Sequence, residues 1–210
     1  MTFTLHVGSK RYSSWSLRPY VALAHAGLPF VCTTILLDRD DTRAQIARVN
    51  PAGRLPVLHH DGLVVWDSLA ICEYIHELAP EAQLWPADRA QRATARAMSA
   101  EMHAGFAALR SHMPMDVVAE KPGEGHAPEA LADARRVCDS WREALAASGG
   151  PFLFGRFSIA DAMYAPVTTR FTTYGVELDA VCRAYVDTIA ALPALRAWRR
   201  EAAAEPASRP

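Results

Sequence analysis

Three short stretches of the 210-residue chain bring together side chains that can do chemistry. Tyr12, Ser13, Ser14 and Ser16 place four hydroxyls within five residues, where an apolar run gives way to a helical pattern. Hydroxyls in such a turn can cap the helix that follows or donate to a bound group, and with no cysteine among them the segment has no thiol nucleophile of its own. Asp67-Ser68 stand just before apolar residues at helical spacing, Ile71, Ile75 and Leu78. A helix start leaves backbone N–H groups unpaired, so this pair either caps them or helps them hold an anion. His103 and Arg110, seven residues apart on an Ala-rich segment, share one helix face; they can line a site or simply meet water. Ser158-Ile159-Ala160-Asp161 has capping-box spacing and is assigned to folding.

Other chemistries lack their motifs. The chain has no H-E-x-x-H, no Walker A run and no G-x-S-x-G, and His59 and His60, adjacent on a strand, point to opposite faces. Cys32, Cys72, Cys138 and Cys182 are scattered without ligand spacing, so free thiols are expected, with neither a disulfide framework nor a metal. A net charge of −1 gives no basic footprint for nucleic acid. No apolar run approaches the ~20 residues of a membrane span, and MTFTLHVG lacks the features of a signal peptide, so a cytoplasmic protein is expected.

The elements that must position these groups fall into two halves. Phe3 to Val7 reads as a strand, Leu17 to Ala26 as a helix, Phe30 to Leu36 as a strand and Arg43 to Val49 as a short helix. Val57 to His59 and Leu63 to Trp66 then flank Asp61-Gly62, the residue pair a two-residue hairpin demands, and a third helix follows. The order βαβα then ββα gives a small mixed sheet with helices on its faces, a thioredoxin-like α/β architecture over residues 1–79. Residues 80–87, with Pro80 and Pro86, read as a linker, and 88–210 as an all-α helical domain. In it, Arg89 to Met113 reads as one long helix, Pro114 to Pro128 as a loop and Glu129 to Ala147 as a second helix; further helices are expected at about 179–190 and 193–204, before a frayed EPASRP tail. Met98, Met102, Phe106, Leu109 and Met113 form an apolar stripe, which is more often core than pocket.

The runs SKRYSSWSLRPYVALAHAGLPF, NPAGRLPVL, VWDSLAICEYI and FLFGRFSIADAMYAPV, in this order, resemble the cytosolic glutathione S-transferases across nearly the whole chain. The nearest class is the zeta-like one, whose first-helix motif has two serines, a cysteine and a serine; Ser13, Ser14 and Ser16 match, and Trp15 replaces the cysteine. That replacement counts against the class's maleylacetoacetate isomerisation. The resemblance implies glutathione as co-substrate. Leu55, before a cis Pro56, would pair with its cysteinyl part, although a trans proline merely opening an edge strand is the simpler reading of Leu55-Pro56 alone. Asp67 and Ser68 would hold the γ-glutamyl end, and Arg54 the glycine carboxylate unless it is a solvated surface residue. Trp15 would either wall the thiol site or fill the space between the two halves.

The same resemblance places thiol activation at Ser13, which aligns with the class's catalytic serine, with Ser14 and Tyr12 as rivals. A serine hydroxyl donating to sulfur favours thiolate over thiol. A thiol of pKa about 8.5 is only ~3% ionised at pH 7, and lowering it by two units makes most of it nucleophilic. The acceptor, a small electrophile, would meet the helical half, where His103 and Arg110 are the candidate contacts. A homodimer is expected, in part because the Ala- and Met-rich fourth helix carries surplus apolar surface. The alternatives are a glutathione-dependent cis-trans isomerase and a non-catalytic binding protein on the transferase fold.

Overall fold

The structure, a computed structural model, describes residues 3–206. Residues 207–210, to which most of the expected tail fraying applies, lie outside the described residues.

Four strands, β1 (Phe3–Gly8), β2 (Phe30–Ile35), β3 (Val57–His60) and β4 (Leu63–Trp66), form one sheet in the order β2-β1-β3-β4. β1 runs parallel to β2 and antiparallel to β3, with Leu5 opposite Cys32 on one side and Leu58 on the other, and β3 runs antiparallel to β4. Phe3, Leu5 and Val7 are buried while Thr4 and His6 between them are half-buried, the period-two pattern of a strand with one covered face. Asp61 and Gly62 both have positive φ, +46° and +85°, as a two-residue hairpin turn requires. The sheet helices are α1 (Ser14–His25), α2 (Thr42–Val49) and α3 (Ser68–Leu78). This is the thioredoxin-like arrangement expected from the element order.

The rest is helical: α4 (Arg89–Ala104), α5 (Ala107–His112), α6 (Pro128–Ser148), α7 (Ile159–Tyr174), α8 (Ala180–Ala190) and α9 (Pro193–Ala204). α7 is buried along almost its whole length and packs against α1, α4 and α8, which makes it the centre of this half. Ser158 and Asp161 close its start as a capping box. α1 lies between the two halves, touching α3 on one side and α7 and α9 on the other, so Leu17, Val21 and Leu23 are buried on both flanks of the junction.

One expectation needs correction. The single helix over Arg89 to Met113 breaks at Gly105-Phe106. A Cβ on Gly105 would come within 2.8 Å of the Glu101 carbonyl oxygen, and Phe106 takes a left-handed φ of +59°. Arg110 donates from Nε to the Gly105 carbonyl at 3.0 Å and from a second nitrogen to the Met102 carbonyl, satisfying oxygens that the break frees. The apolar stripe lies inside, with Met102, Leu109 and Met113 fully buried, as a core stripe does, while Ala93, Ala97 and Ala100 on the outer side of α4 are exposed. The stretch 80–87, read as a linker, is ordered: Pro80–Ala82 form a 3₁₀ turn, Leu84 and Trp85 are buried, and the Leu84 carbonyl accepts the Ile159 amide at 2.8 Å.

Candidate functional site

The turn from β1 into α1 is gripped from the far end of the chain. The Lys10 and Arg11 amides donate to the Glu205 carboxylate at 2.8 and 3.3 Å, Lys10 Nζ pairs with Glu201, and Trp198 Nε1 donates to the Lys10 carbonyl at 2.7 Å. Arg11 makes a two-pronged pair with Asp116, at 2.8 and 3.0 Å. These contacts fix Ser9 to Tyr12, whose backbone then curls so that the Ser13 amide meets the Ser9 carbonyl at 2.8 Å.

The three serines that follow differ in what they meet. The Ser13 hydroxyl donates to Ser16 Oγ at 2.7 Å, and Ser16 Oγ also accepts the Gly8 amide at 3.0 Å. A Cβ on Gly8 would lie 3.1 Å from Ser13 Oγ, so Ser13 packs back against the end of β1. The Ser14 hydroxyl has no hydrogen-bond partner among the described residues, and the amides of Trp15 and Ser16 at the N-terminus of α1 are likewise unpaired.

Beside this turn opens a cavity of about 620 Å³ lined by Trp15, Ala52, Arg54, Leu55, Pro56, Trp66, Asp67, Ser68 and His103. Seven of these nine are residues singled out from the sequence. Asn50 shapes one wall: its side chain accepts the Ala52 amide at 3.0 Å and donates to the Arg54 carbonyl at 2.7 Å. The Leu55-Pro56 bond is cis. Leu55 lies before β3 begins, and its amide and carbonyl form no hydrogen bond among the described residues, leaving an open peptide edge at the cavity. Arg54 is exposed, with its guanidinium unengaged among the described residues.

Asp67 holds the other wall. It caps α3 through Oδ1, which accepts the Leu69 and Ala70 amides at 2.9 and 3.2 Å, while Oδ2 lies 3.2 Å from His103 Nε2 on α4. Its φ of +76° with ψ of 133° lies outside the left-handed helical well and is sterically costly for a side-chain-bearing residue. Ser68 is buried, with its hydroxyl 3.4 Å from Arg18 Nη1.

Arg18, which the sequence reading passed over, is fully buried on α1, and its Nε and second terminal nitrogen have no hydrogen-bond partner among the described residues. Burial, together with nearby Arg110 and Arg170, pushes its pKa down to about 9, so it stays cationic at neutral pH. Its guanidinium stacks on one face of Trp15 at 4.3 Å and that of Arg110 lies 4.8 Å from the same ring, whose edge meets His103 at 5.1 Å. Trp15 therefore both walls the cavity and fills the junction of the halves. Arg110 reaches Trp15 and the α4–α5 break and is not among the lining residues; neither are Ser13 and Ser14. Ala52 and Trp66 line the cavity unforeseen, and Trp66 is half exposed. The signal that could have found Arg18 is a charged residue three positions after Trp15 on a helix otherwise apolar around it.

A family model for the glutathione S-transferase N-terminal domain matches residues 12–78, and one for the glutathione S-transferase C-terminal domain matches residues 91–201. A probable maleylacetoacetate isomerase of Caenorhabditis elegans is 33% identical over 109 residues, 52% of this chain and 51% of that protein, so the match spans about half of that relative. Maleylacetoacetate isomerase of Rattus norvegicus is 28% identical over 171 residues, 80% of this chain and 78% of that one. Among solved structures, a Burkholderia glutathione transferase homologue with bound glutathione shares the fold with a TM-score of 0.75 at 24% identity, covering 98% of this chain and 100% of that one.

Proposed function

The chain belongs to the glutathione S-transferase family, and from that premise we propose that the cavity binds glutathione and that a serine hydroxyl at the start of α1, Ser13 or Ser14, donates to its sulfur for attack on a small electrophile. The observation that carries this reading is the meeting, in one cavity, of an unpaired peptide edge at Leu55 with the helix start at Asp67-Ser68. An extended peptide can add to such an edge by main-chain hydrogen bonds. The γ-glutamyl carboxylate then falls to the Ser68 amide and hydroxyl, with the buried Arg18 cation behind them, and the ammonium to the Asp67 carboxylate. Arg54, unengaged at the rim, meets the glycine carboxylate.

The sulfur then lies near Trp15 at the N-terminus of α1, where unpaired amides favour a negative charge. Of the two serines Ser14 is better placed to donate, because the Ser13 proton already serves Ser16. Calorimetric titration tests the reading: binding at millimolar glutathione or tighter is expected, and no binding overturns it. That second outcome would favour a non-catalytic protein on the transferase fold.

The isomerase names of the worm and rat relatives support a second reading, glutathione-dependent cis-trans isomerisation of a maleyl compound. Trp15 in place of the motif cysteine weighs against it. Turnover of a chlorinated nitrobenzene against a maleyl substrate separates the two. We read the protein as cytoplasmic and as a homodimer, as the resemblance implies; no helix among the described residues is long and apolar enough to cross a membrane. Sedimentation at micromolar concentration showing only the monomer mass would overturn the dimer.

A further inference from the structure

The cavity wall at Ala52 and Arg54 follows directly on α2, whose only buried residue among eight is Thr42, at its start. At the other end of α2 the Val49 carbonyl accepts a hydrogen bond from His59 Nε2 on β3 at 2.8 Å. The next residue is the buried Asn50, whose side chain takes the Ala52 amide and the Arg54 carbonyl. His59 therefore reaches the wall through two successive residues. On the same face of the sheet, His6 on β1 lies diagonally across the ladder from His59, since His6 pairs with Val57 and Thr4 with His59. The two imidazole rings meet edge to face, with centroids 4.8 Å apart. His6 Nδ1 is buried and has no hydrogen-bond partner among the described residues. The proposed function uses neither histidine.

We propose that His59 is a positioning residue for the glutathione cavity and that His6 makes its hold sensitive to pH, the wall closing on the peptide in neutral solution and loosening in acid. This rests on reading the cavity as a glutathione site. A carbonyl only accepts, so His59 Nε2 carries a proton wherever its bond to Val49 stands, and that bond fixes the ring against His6. A proton added to His6 puts a cation against that ring, with no acceptor for Nδ1–H. Burial, and then the facing His59, hold the His6 pKa below 6.5. The other neighbours offer no counter-charge: Thr33 and Val57 flank His6 in the ladder, Thr4 and Val64 flank His59, and Asp41, Arg43 and Arg48 at the cap and on α2 are exposed. Release of Val49 frees the His59 ring to turn away and lets His6 take its proton in water. The released state thus binds the proton more tightly than the closed one. The closed state is fully favoured above about 6.5 and loses ground as the pH falls below it. Ala52 and Arg54 move with the end of α2, so the glycine end of the peptide loses its contact.

The test titrates S-methylglutathione, whose blocked sulfur removes the ionisation of the thiol, into the full chain by calorimetry from pH 7.5 to 5.0. Amide exchange at residues 45–54 is followed over the same range and corrected for intrinsic rates. Wild type is expected to lose about threefold more affinity in acid than His6→Gln, and its 45–54 amides to open below pH 6.5 while those of β1 stay protected. His103 also lines the cavity but is present in both proteins, so any response of its own cancels. His59→Ala should bind more weakly already at pH 7.5 and exchange at 45–54 without a pH response. Equal pH slopes in wild type and His6→Gln would overturn the proposal, and so would exchange at 45–54 that follows the intrinsic rate alone. Should His6→Gln fail to fold, the wild-type exchange profile decides by itself. Binding with no difference between the proteins removes this proposal and leaves the glutathione reading standing, whereas no binding by wild type at pH 7.5 removes both.

Discussion

Asp67 Oδ2 and His103 Nε2 lie 3.2 Å apart, joining the start of α3 in the sheet half to the last turn of α4 in the helical half. The same carboxylate caps α3 through its other oxygen. One acid thus serves the fold, the junction and, in the proposed function, the ammonium of glutathione. The cavity wall is therefore sensitive to how the two halves sit against each other.

Asp67→Asn separates these roles. The amide keeps an oxygen for the Leu69 and Ala70 amides and the same shape at the same backbone, but it loses the charge. The His103 pair is partly exposed, so stability should change by less than about 1 kcal/mol. Glutathione affinity should fall by about 1.5–3 kcal/mol, a tenfold loss or more by calorimetry, because a charge-assisted contact is gone. Equal affinity in the two proteins would leave Asp67 as a cap alone.

The serines should separate as well. Ser14→Ala is expected to raise the pKa of the bound thiol by about one to two units, the worth of one hydrogen bond to a charged group, with affinity nearly unchanged. Ser13→Ala should mainly cost stability, about 1 kcal/mol, since it removes the partner of Ser16 beneath the Gly8 amide. Thiolate absorbance against pH, read with glutathione bound, ranks the two. The reverse order would return the activating role to Ser13, and a shift in neither would assign it to the α1 amides.

Glu205, just past the end of α9, holds two backbone amides of the turn from β1 into α1. Glu205→Ala should speed hydrogen exchange at residues 9–14 while destabilising the whole chain by only about 1 kcal/mol, because the contact is partly exposed. It should lower turnover more than glutathione affinity, since Leu55, Asp67 and Ser68 are not attached to that turn. Unaltered exchange in the turn would show that Trp198 and Asp116 hold it without help.

Asp161 gives a pH dependence of known sign. It is fully buried, and although it accepts from the Leu153 and Ser158 amides and the Ser158 and Tyr185 hydroxyls, burial still pushes its pKa up to about 6 from 3.8. The folded state therefore holds the proton more tightly than the unfolded state. Its contribution is fully present below the unfolded pKa and is lost as pH rises through about 6. The loss is roughly 3 kcal/mol from this residue. Denaturant unfolding from pH 3.5 to 7 should show that downward slope in the wild type relative to Asp161→Asn, and parallel curves would refute it.

What the sequence determined is what acts over a few residues. Asp61-Gly62 dictates the hairpin because only certain residues accept positive φ, Asp67 marks the α3 start, and Ser158 with Asp161 closes the start of α7, each through contacts no more than three residues away. With those local signals in a recognisable order, the mixed sheet, the helical half and seven of the cavity's nine lining residues were legible. The rest depended on packing between distant segments. α1 lies between α3 and α7, and only that sandwich buries Arg18 behind Ser68, brings two guanidinium groups to the Trp15 ring and turns Arg110 to the α4–α5 break. The direction of the Ser13 hydroxyl is settled by Ser16 under the end of β1. Side-chain spacing along a helix or strand fixes which face a residue shares; what that face meets is decided by the chain's long-range packing.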